Sequence, residues 1–160
     1  MAIDDVVASL REELTALERE LRVDLPKRIE QARLLGDLRE NGEYETAKDR
    51  QGFVNARIGF LRGRIAELQR IDFNAIPRDR AGFGSTVHLR DEQNGEDKIY
   101  RLVAAEQVDT VRGWISVASP IGRSLNGRRE GDEIRVQTPG GTKAFVLTKL
   151  ITIHDDPGRA

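Results

Sequence analysis

The sequence contains no cysteine, which removes disulfides and thiolate metal ligands from consideration. Histidine is scarce: only His88 and His154 occur, and their wide separation makes a poor metal site. No apolar run approaches the roughly 20 residues that a membrane-crossing helix needs. The first residues also lack the apolar stretch of a secretion signal. These absences point to a reducing, cytoplasmic setting with no membrane contact. Aromatic residues make up 5% of the chain and charged residues 33%. A single large core in 160 residues would need more bulky apolar side chains, so an extended helical part is expected. The formal net charge of −1 excludes a polyanion binder that works by bulk charge.

What is present divides into two halves with different periods. Ile3, Val7, Leu10, Leu14, Leu17 and Leu21 recur at alternating steps of four and three, the period of a coiled-coil seam. The pattern then moves to Leu25, Ile29 and Ala32 through two successive steps of four. Such a shift is a stutter, and it falls beside Pro26, which removes a helical donor. A second seam runs through Tyr44, Ala47, Gln51, Val54, Ile58, Leu61, Ile65 and Leu68. Between the seams lies a short polar stretch, 36–42, in which Gly36 suits a left-handed helix end and Asn41 suits a cap. A connection this short makes the helices antiparallel neighbours, with arms of about 45 Å. The alternative is a coiled coil between two chains.

Residues 73–84 carry Pro77, Gly82 and Gly84 with few periodic apolar positions and read as a linker. Beyond them the period becomes two. Thr86–Leu89 and Ile99–Val103 flank Asn94-Gly95, a hairpin signal. Ile115–Val117 is a further strand, and Ser119-Pro120 opens a short helix to Leu125 with serine as its cap. Residues 133–138 and 142–153, joined by Pro139-Gly140-Gly141, form a closing hairpin. That glycine run is a turn rather than a phosphate loop, because no helix follows it. The fold class is therefore α+β: an antiparallel α-helical coiled-coil hairpin over 1–74, a linker over 75–83, and a small antiparallel β-sheet domain with a short helix over 84–160. His88 reads as a surface or edge residue and Trp114 as a partly buried anchor.

The turn between the arms carries Asp37, Glu40 and Glu43, three acids spaced by three at the end of a long rod. Taken alone, they read first as a solvated turn, with Glu43 favoured by a helix N-terminus. Residues 1–26 hold seven acids and three bases, a net of −4; residues 27–64 hold nine bases and six acids, a net of +3. The distal part of the rod thus joins a basic shaft to an acidic point. Such a shaft can meet a nucleic-acid backbone, although ordinary solvated helix faces look similar.

The stretch Gly36-Asp37-Leu38-Arg39-Glu40-Asn41-Gly42-Glu43-Tyr44, with Ala32-Arg33 before it and Gln51-Gly52-Phe53 after it, resembles the tip of the bacterial Gre family of transcript cleavage factors, GreA type. Leu10-Arg11-Glu12-Glu13-Leu14 resembles that family's first helix. Ile115-Ser116-Val117-Ala118-Ser119-Pro120-Ile121, Gly131-Asp132 and Thr138-Pro139-Gly140-Gly141 resemble its C-terminal domain. Gly42 stands where alanine is usual, and Lys48 where arginine is common. The resemblance implies an FKBP-like second domain that docks on bacterial RNA polymerase, and a hairpin that enters the secondary channel to stimulate cleavage of backtracked RNA. It implies that Asp37 and Glu40 help hold a Mg²⁺ ion shared with the polymerase, so that the free protein has no cofactor and is no enzyme by itself. Arg33 and Lys48 correspond to the family's basic patch toward the nascent RNA 3′ end, and Glu43 is a second-rank site residue. A monomer is expected. The competing readings are an inhibitory channel plug and a non-catalytic coiled-coil adaptor. A free-standing prolyl isomerase is disfavoured, because Phe83, Tyr100, Trp114 and Phe145 are too few to line a proline pocket.

Overall fold

The computed structural model describes residues 2–36 and 42–155. The chain divides into two units: Val7–Ile71, and a second composed of Met1–Val6 with Asp72–Ala160.

The first unit is helical. Helix α1 covers Ile3–Arg19, a π-helical turn covers Glu20–Asp24, α2 covers Leu25–Arg33 and α3 covers Gly42–Gln69. At about 1.5 Å per residue the 28 residues of α3 span about 42 Å. Of its expected seam, Ala47, Val54, Ile58, Leu61, Ile65 and Leu68 are buried, while Tyr44 and Gln51 are half-buried. On the other arm Leu10, Leu17, Leu25 and Ala32 are buried, while Leu14, Leu21 and Ile29 are half-buried.

The π turn is the structural form of the stutter. Successive steps of four outrun a helix of 3.6 residues per turn, so the seam would drift off the facing arm. One wider turn, closed by the Leu25 N–H donating to the Glu20 carbonyl, absorbs the surplus residue. It also lies immediately before Pro26, whose ring would otherwise press on the carbonyl four residues back.

Ion pairs tie the arms together. The Arg50 guanidinium donates to both Glu20 carboxylate oxygens at 2.8 and 2.9 Å. Arg57 does the same to Glu13 at 2.8 and 3.0 Å. A third pair, Arg62 donating to Glu18 at 2.8 Å, also bridges the two arms. Hydrogen bonds from Arg57 and Arg50 hold the Glu13 and Glu20 carboxyls below their usual 4.5. A carboxyl with a lowered folded pKa stabilises fully above its unfolded value, and that contribution is lost as pH falls through the lowered one. Both pairs are partly solvent-exposed, so the effect is modest. Urea titrations should show the wild-type hairpin losing stability below about pH 4.5, with Glu13→Gln/Glu20→Gln losing less over the same range. Identical acid slopes in the two proteins would mean that the pairs do not contribute.

The second unit is built on a five-stranded sheet. Strands β1 (Thr86–Asp91), β2 (Asp97–Val103), β3 (Trp114–Ser116), β4 (Glu133–Thr138) and β5 (Gly141–Ile151) lie in the order β3-β2-β1-β5-β4. Neighbours are antiparallel except at one edge, where β3 runs parallel to β2. The connection between those two strands holds a 3-10 turn, Ala105–Gln107, and the Asp109–Trp114 bridge, which bring the chain back in the same direction. Alternation places Val87, Leu89, Leu102, Ile134, Val136, Phe145 and Leu147 on one face, where Leu125 of helix α4 (Pro120–Leu125) joins their cluster. The Ser119 hydroxyl caps α4 by accepting the Gly122 N–H at 3.1 Å.

Local turns close the sheet. Asn94-Gly95 sits in a loop longer than a two-residue hairpin, with φ 73° at Gly95. The buried Asp91 braces that loop by accepting the Gln93 N–H at 2.8 Å. Within the stretch expected as a linker, Ala81 is 2% exposed and belongs to the core cluster. Its N–H donates to the Arg128 carbonyl and its own carbonyl accepts from Gly127, both at 2.8 Å. His88 stands half-buried on β1, the central strand, rather than at an edge, because the chain's last strand pairs on β1's far side.

Candidate functional site

The site read from the sequence lies between helices α2 and α3. Helix α2 ends at Arg33; Leu34 and Leu35 follow, then Gly36 with φ 127°, an angle that side chains disfavour. Helix α3 begins at Gly42, and the Thr46 hydroxyl donates to the Gly42 carbonyl at 2.8 Å. Asp37, Glu40 and Asn41 lie outside the described residues, so the candidate acids and the expected cap have no structural account here.

Three other candidates are placed. Glu43 is exposed in the first turn of α3 beside Glu45, where the positive end of the helix dipole favours negative charge. It lines an open recess with Arg28, Gln31, Gly42 and Thr46. Arg33 is exposed in the last turn of α2, the end that favours a cation. Lys48 is exposed in the second turn of α3, and its ammonium donates to the Gln51 side-chain oxygen at 3.0 Å. Helix-end electrostatics therefore account for the positions of Glu43 and Arg33. Lys48 has a neutral partner in Gln51, which leaves its charge able to attract an anion. Arg33 and Lys48 both fall in the part of the helical unit next to residues 37–41.

Magnesium coordination is a matter of donor chemistry. Mg²⁺ takes one or two carboxylates and completes its shell with water or phosphate. Asp37 and Glu40 supply hard oxygen donors of that kind, in a number too small to hold the ion without further ligands. Among the described residues no group of three or more acidic or histidine side chains gathers as a metal site.

Two features of this unit escaped the sequence reading. Leu34 and Leu35 are 79% and 68% exposed beside the end of α2. Phe53 and Phe60 project from α3, each under a guanidinium, Arg50 and Arg57 respectively, 5.1 Å from the ring centroid. The available signal was that all four apolar residues fall off the seam.

Trp114 is half-buried, with Arg101 and Arg112 guanidiniums 5.0 and 5.2 Å from its ring. That arrangement agrees with a partly buried anchor. No helix among the described residues is long and apolar enough to cross a membrane.

Comparison with known proteins gives a consistent result. Residues 5–69 match the family described as transcription elongation factor, N-terminal. Residues 76–151 match transcription elongation factor, GreA/GreB, C-term. Transcription elongation factor GreA of Desulfotalea psychrophila is 43% identical over 143 residues, 89% of each chain. The GreA of Desulfovibrio desulfuricans is 43% identical over 139 residues, 87% of this chain and 85% of that one. Among solved structures, a GreA/GreB factor from Nitrosomonas europaea is 35% identical, covering 53% of this chain and 73% of that one at a TM-score of 0.43. GreA factor homolog 1 of Thermus thermophilus is 25% identical, covering 91% of this chain and 94% of that one at a TM-score of 0.42.

Proposed function

Because the chain belongs to the GreA/GreB family of transcription elongation factors, we propose that its helical hairpin enters the secondary channel of bacterial RNA polymerase and stimulates cleavage of backtracked nascent RNA. The observation that supports this reading is the match of both halves of the chain, in order, to the two parts of that family. The curated relatives are named elongation factors, which does not favour an inhibitory plug or an inert adaptor.

In this reading the protein is not an enzyme alone. Asp37 and Glu40 bring carboxylates to the polymerase active site and share a Mg²⁺ ion there. When bound, that ion supplies charge stabilisation and helps orient water for phosphodiester hydrolysis. The rod delivers the acids: antiparallel arms locked by the Glu13–Arg57 and Glu20–Arg50 pairs hold a fixed reach. Arg33 and Lys48 attract the phosphates of the RNA 3′ segment, and Glu43 adds local negative charge. Residues 1–74 act as the hairpin, and 84–160, with Ala81 of the connecting stretch 75–83 packed into its core, as the FKBP-like domain that provides affinity for polymerase. The factor works as a cytoplasmic monomer.

The direct test adds the full-length chain to stalled, backtracked elongation complexes with Mg²⁺ and follows release of 3′ RNA fragments. Release should depend on both the factor and polymerase, with none from the factor and RNA alone. Complexes that stay uncleaved at saturating factor would refute this function.

A further inference from the structure

Helix α3 is apolar on two sides. Flanking its seam a seven-residue unit repeats: Arg50-Gln51-Gly52-Phe53, then Arg57-Ile58-Gly59-Phe60. Phe53 and Phe60 are 58% and 54% exposed, and one heptad sets them about 10.5 Å apart along the same side. Neither ring is loosely presented. Each lies against its arginine, and each arginine is held by two hydrogen bonds to a glutamate on the other arm. The glycines beside them are equally telling. A Cβ at Gly52, Gly59 or Gly63 would meet nothing within 4 Å. Packing among the described residues therefore does not explain glycine in an exposed helix interior, where alanine is favoured. The result is a strip with two fixed aromatic knobs beside bare backbone.

Charge indicates what the strip fits. Helical spacing puts Glu45 and Asp49 on this side of α3, together with Arg64 and its ion-pair partner Glu67. The arginines along it are already committed, Arg50 to Glu20, Arg57 to Glu13 and Arg64 to Glu67. Along the phenylalanines a nucleic-acid backbone would meet carboxylates and committed arginines; the cation with a neutral partner, Lys48, falls on the far side of the glycines. An apolar protein patch edged by lysine or arginine is the complementary surface.

We propose that this strip seats the rod against protein, on an apolar, cation-edged patch of the polymerase channel wall, with Phe53 and Phe60 as the anchors. The proposal rests on the reading that the hairpin enters polymerase, and it adds which side of the hairpin bears on the wall.

The test titrates the full-length chain against stalled elongation complexes, reading the half-saturating concentration and the maximal cleavage rate separately. Phe53→Ser with Phe60→Ser should raise the half-saturating concentration roughly tenfold or more, the scale for losing buried aromatic anchors. The maximal rate should hold, because Asp37 and Glu40 are untouched. Gly59→Ala supplies the second arm: it should raise the melting temperature yet also raise the half-saturating concentration, a pairing that a purely structural role would not give. An unchanged half-saturating concentration in both variants overturns the proposal. So does intact polymerase affinity with lost crosslinking to the RNA 3′ segment, which would make RNA the occupant. A wild-type dimer dispersed by the phenylalanine changes at unaltered polymerase affinity also overturns it, in favour of a second copy. If the wild-type chain stimulates no cleavage, the functional reading fails instead, and direct competition for polymerase binding still decides the strip.

Discussion

Replacing Asp37 and Glu40 together by alanine is expected to abolish stimulated RNA cleavage while leaving polymerase affinity nearly unchanged. The proposed work of these carboxylates is to hold an ion and a water as charge develops, so their loss falls on rate rather than binding. Removing one positioned electrostatic group commonly slows a reaction on the order of 100-fold, and the double change should cost at least that. Folding should be little affected, because the acids come from a polar stretch between two helices whose seams lie elsewhere. Raised Mg²⁺ should partly rescue either single variant, since one carboxylate still recruits the ion weakly. Arg33→Ala with Lys48→Ala provides the contrast: weaker crosslinking to the RNA 3′ end, with the acids intact. Single-turnover cleavage at saturating factor reads the first effect, and competition binding reads the second. A double acid variant that cleaves at the wild-type rate would reduce residues 37–41 to a solvated turn.

The largest stability loss is expected from Gly122→Ala. A Cβ there would lie 2.1 Å from the Ser116 carbonyl oxygen and 3.0 Å from the Ser119 hydroxyl oxygen. That carbonyl has little freedom to withdraw, since it accepts the Ser119 N–H at 3.0 Å and the Ser119 hydroxyl at 2.6 Å. The methyl group must therefore force α4 away from β3 or break the turn that caps the helix. Overpacking of this kind costs about 1–3 kcal/mol, and the backbone contact puts the change at the upper end of that range. Alanine's better helix propensity, worth about 1 kcal/mol in an exposed helix interior, offsets only part of it. Urea denaturation of the full chain, followed by Trp114 fluorescence in the second unit, measures the loss. A midpoint within error of wild type would show that the Ser116–Ser119 turn yields at no cost.

Some of this protein is written in short-range pattern. The seam of α3 follows from one period, and every aliphatic position it named is buried. The same holds for alternation along β1, β4 and β5, and for the Ser119 cap, because each depends on neighbours a few residues away. The stutter beside Pro26 signalled a defect in the first arm, but its form as a π turn depended on keeping Leu25 buried. The acids Asp37 and Glu40 were legible only as residue types in a familiar order, and their role is carried by that resemblance.

Longer-range relations were settled only in three dimensions. Periodicity assigns a residue to a face but not to a partner, so Glu20 with Arg50 and Glu13 with Arg57 emerged only once the arms were in register. Those pairs in turn hold Phe53 and Phe60 outward, where composition alone would place phenylalanine inside. The parallel pairing of β3 with β2, the central place of β1 and the burial of Ala81 likewise join residues far apart in the chain. The sequence by itself determined which segments are helix or strand and which side each buries, because helix and strand geometry is local. Only the tertiary structure decided which segments meet and what they leave exposed, because that choice is made by complementary packing and charge between distant residues.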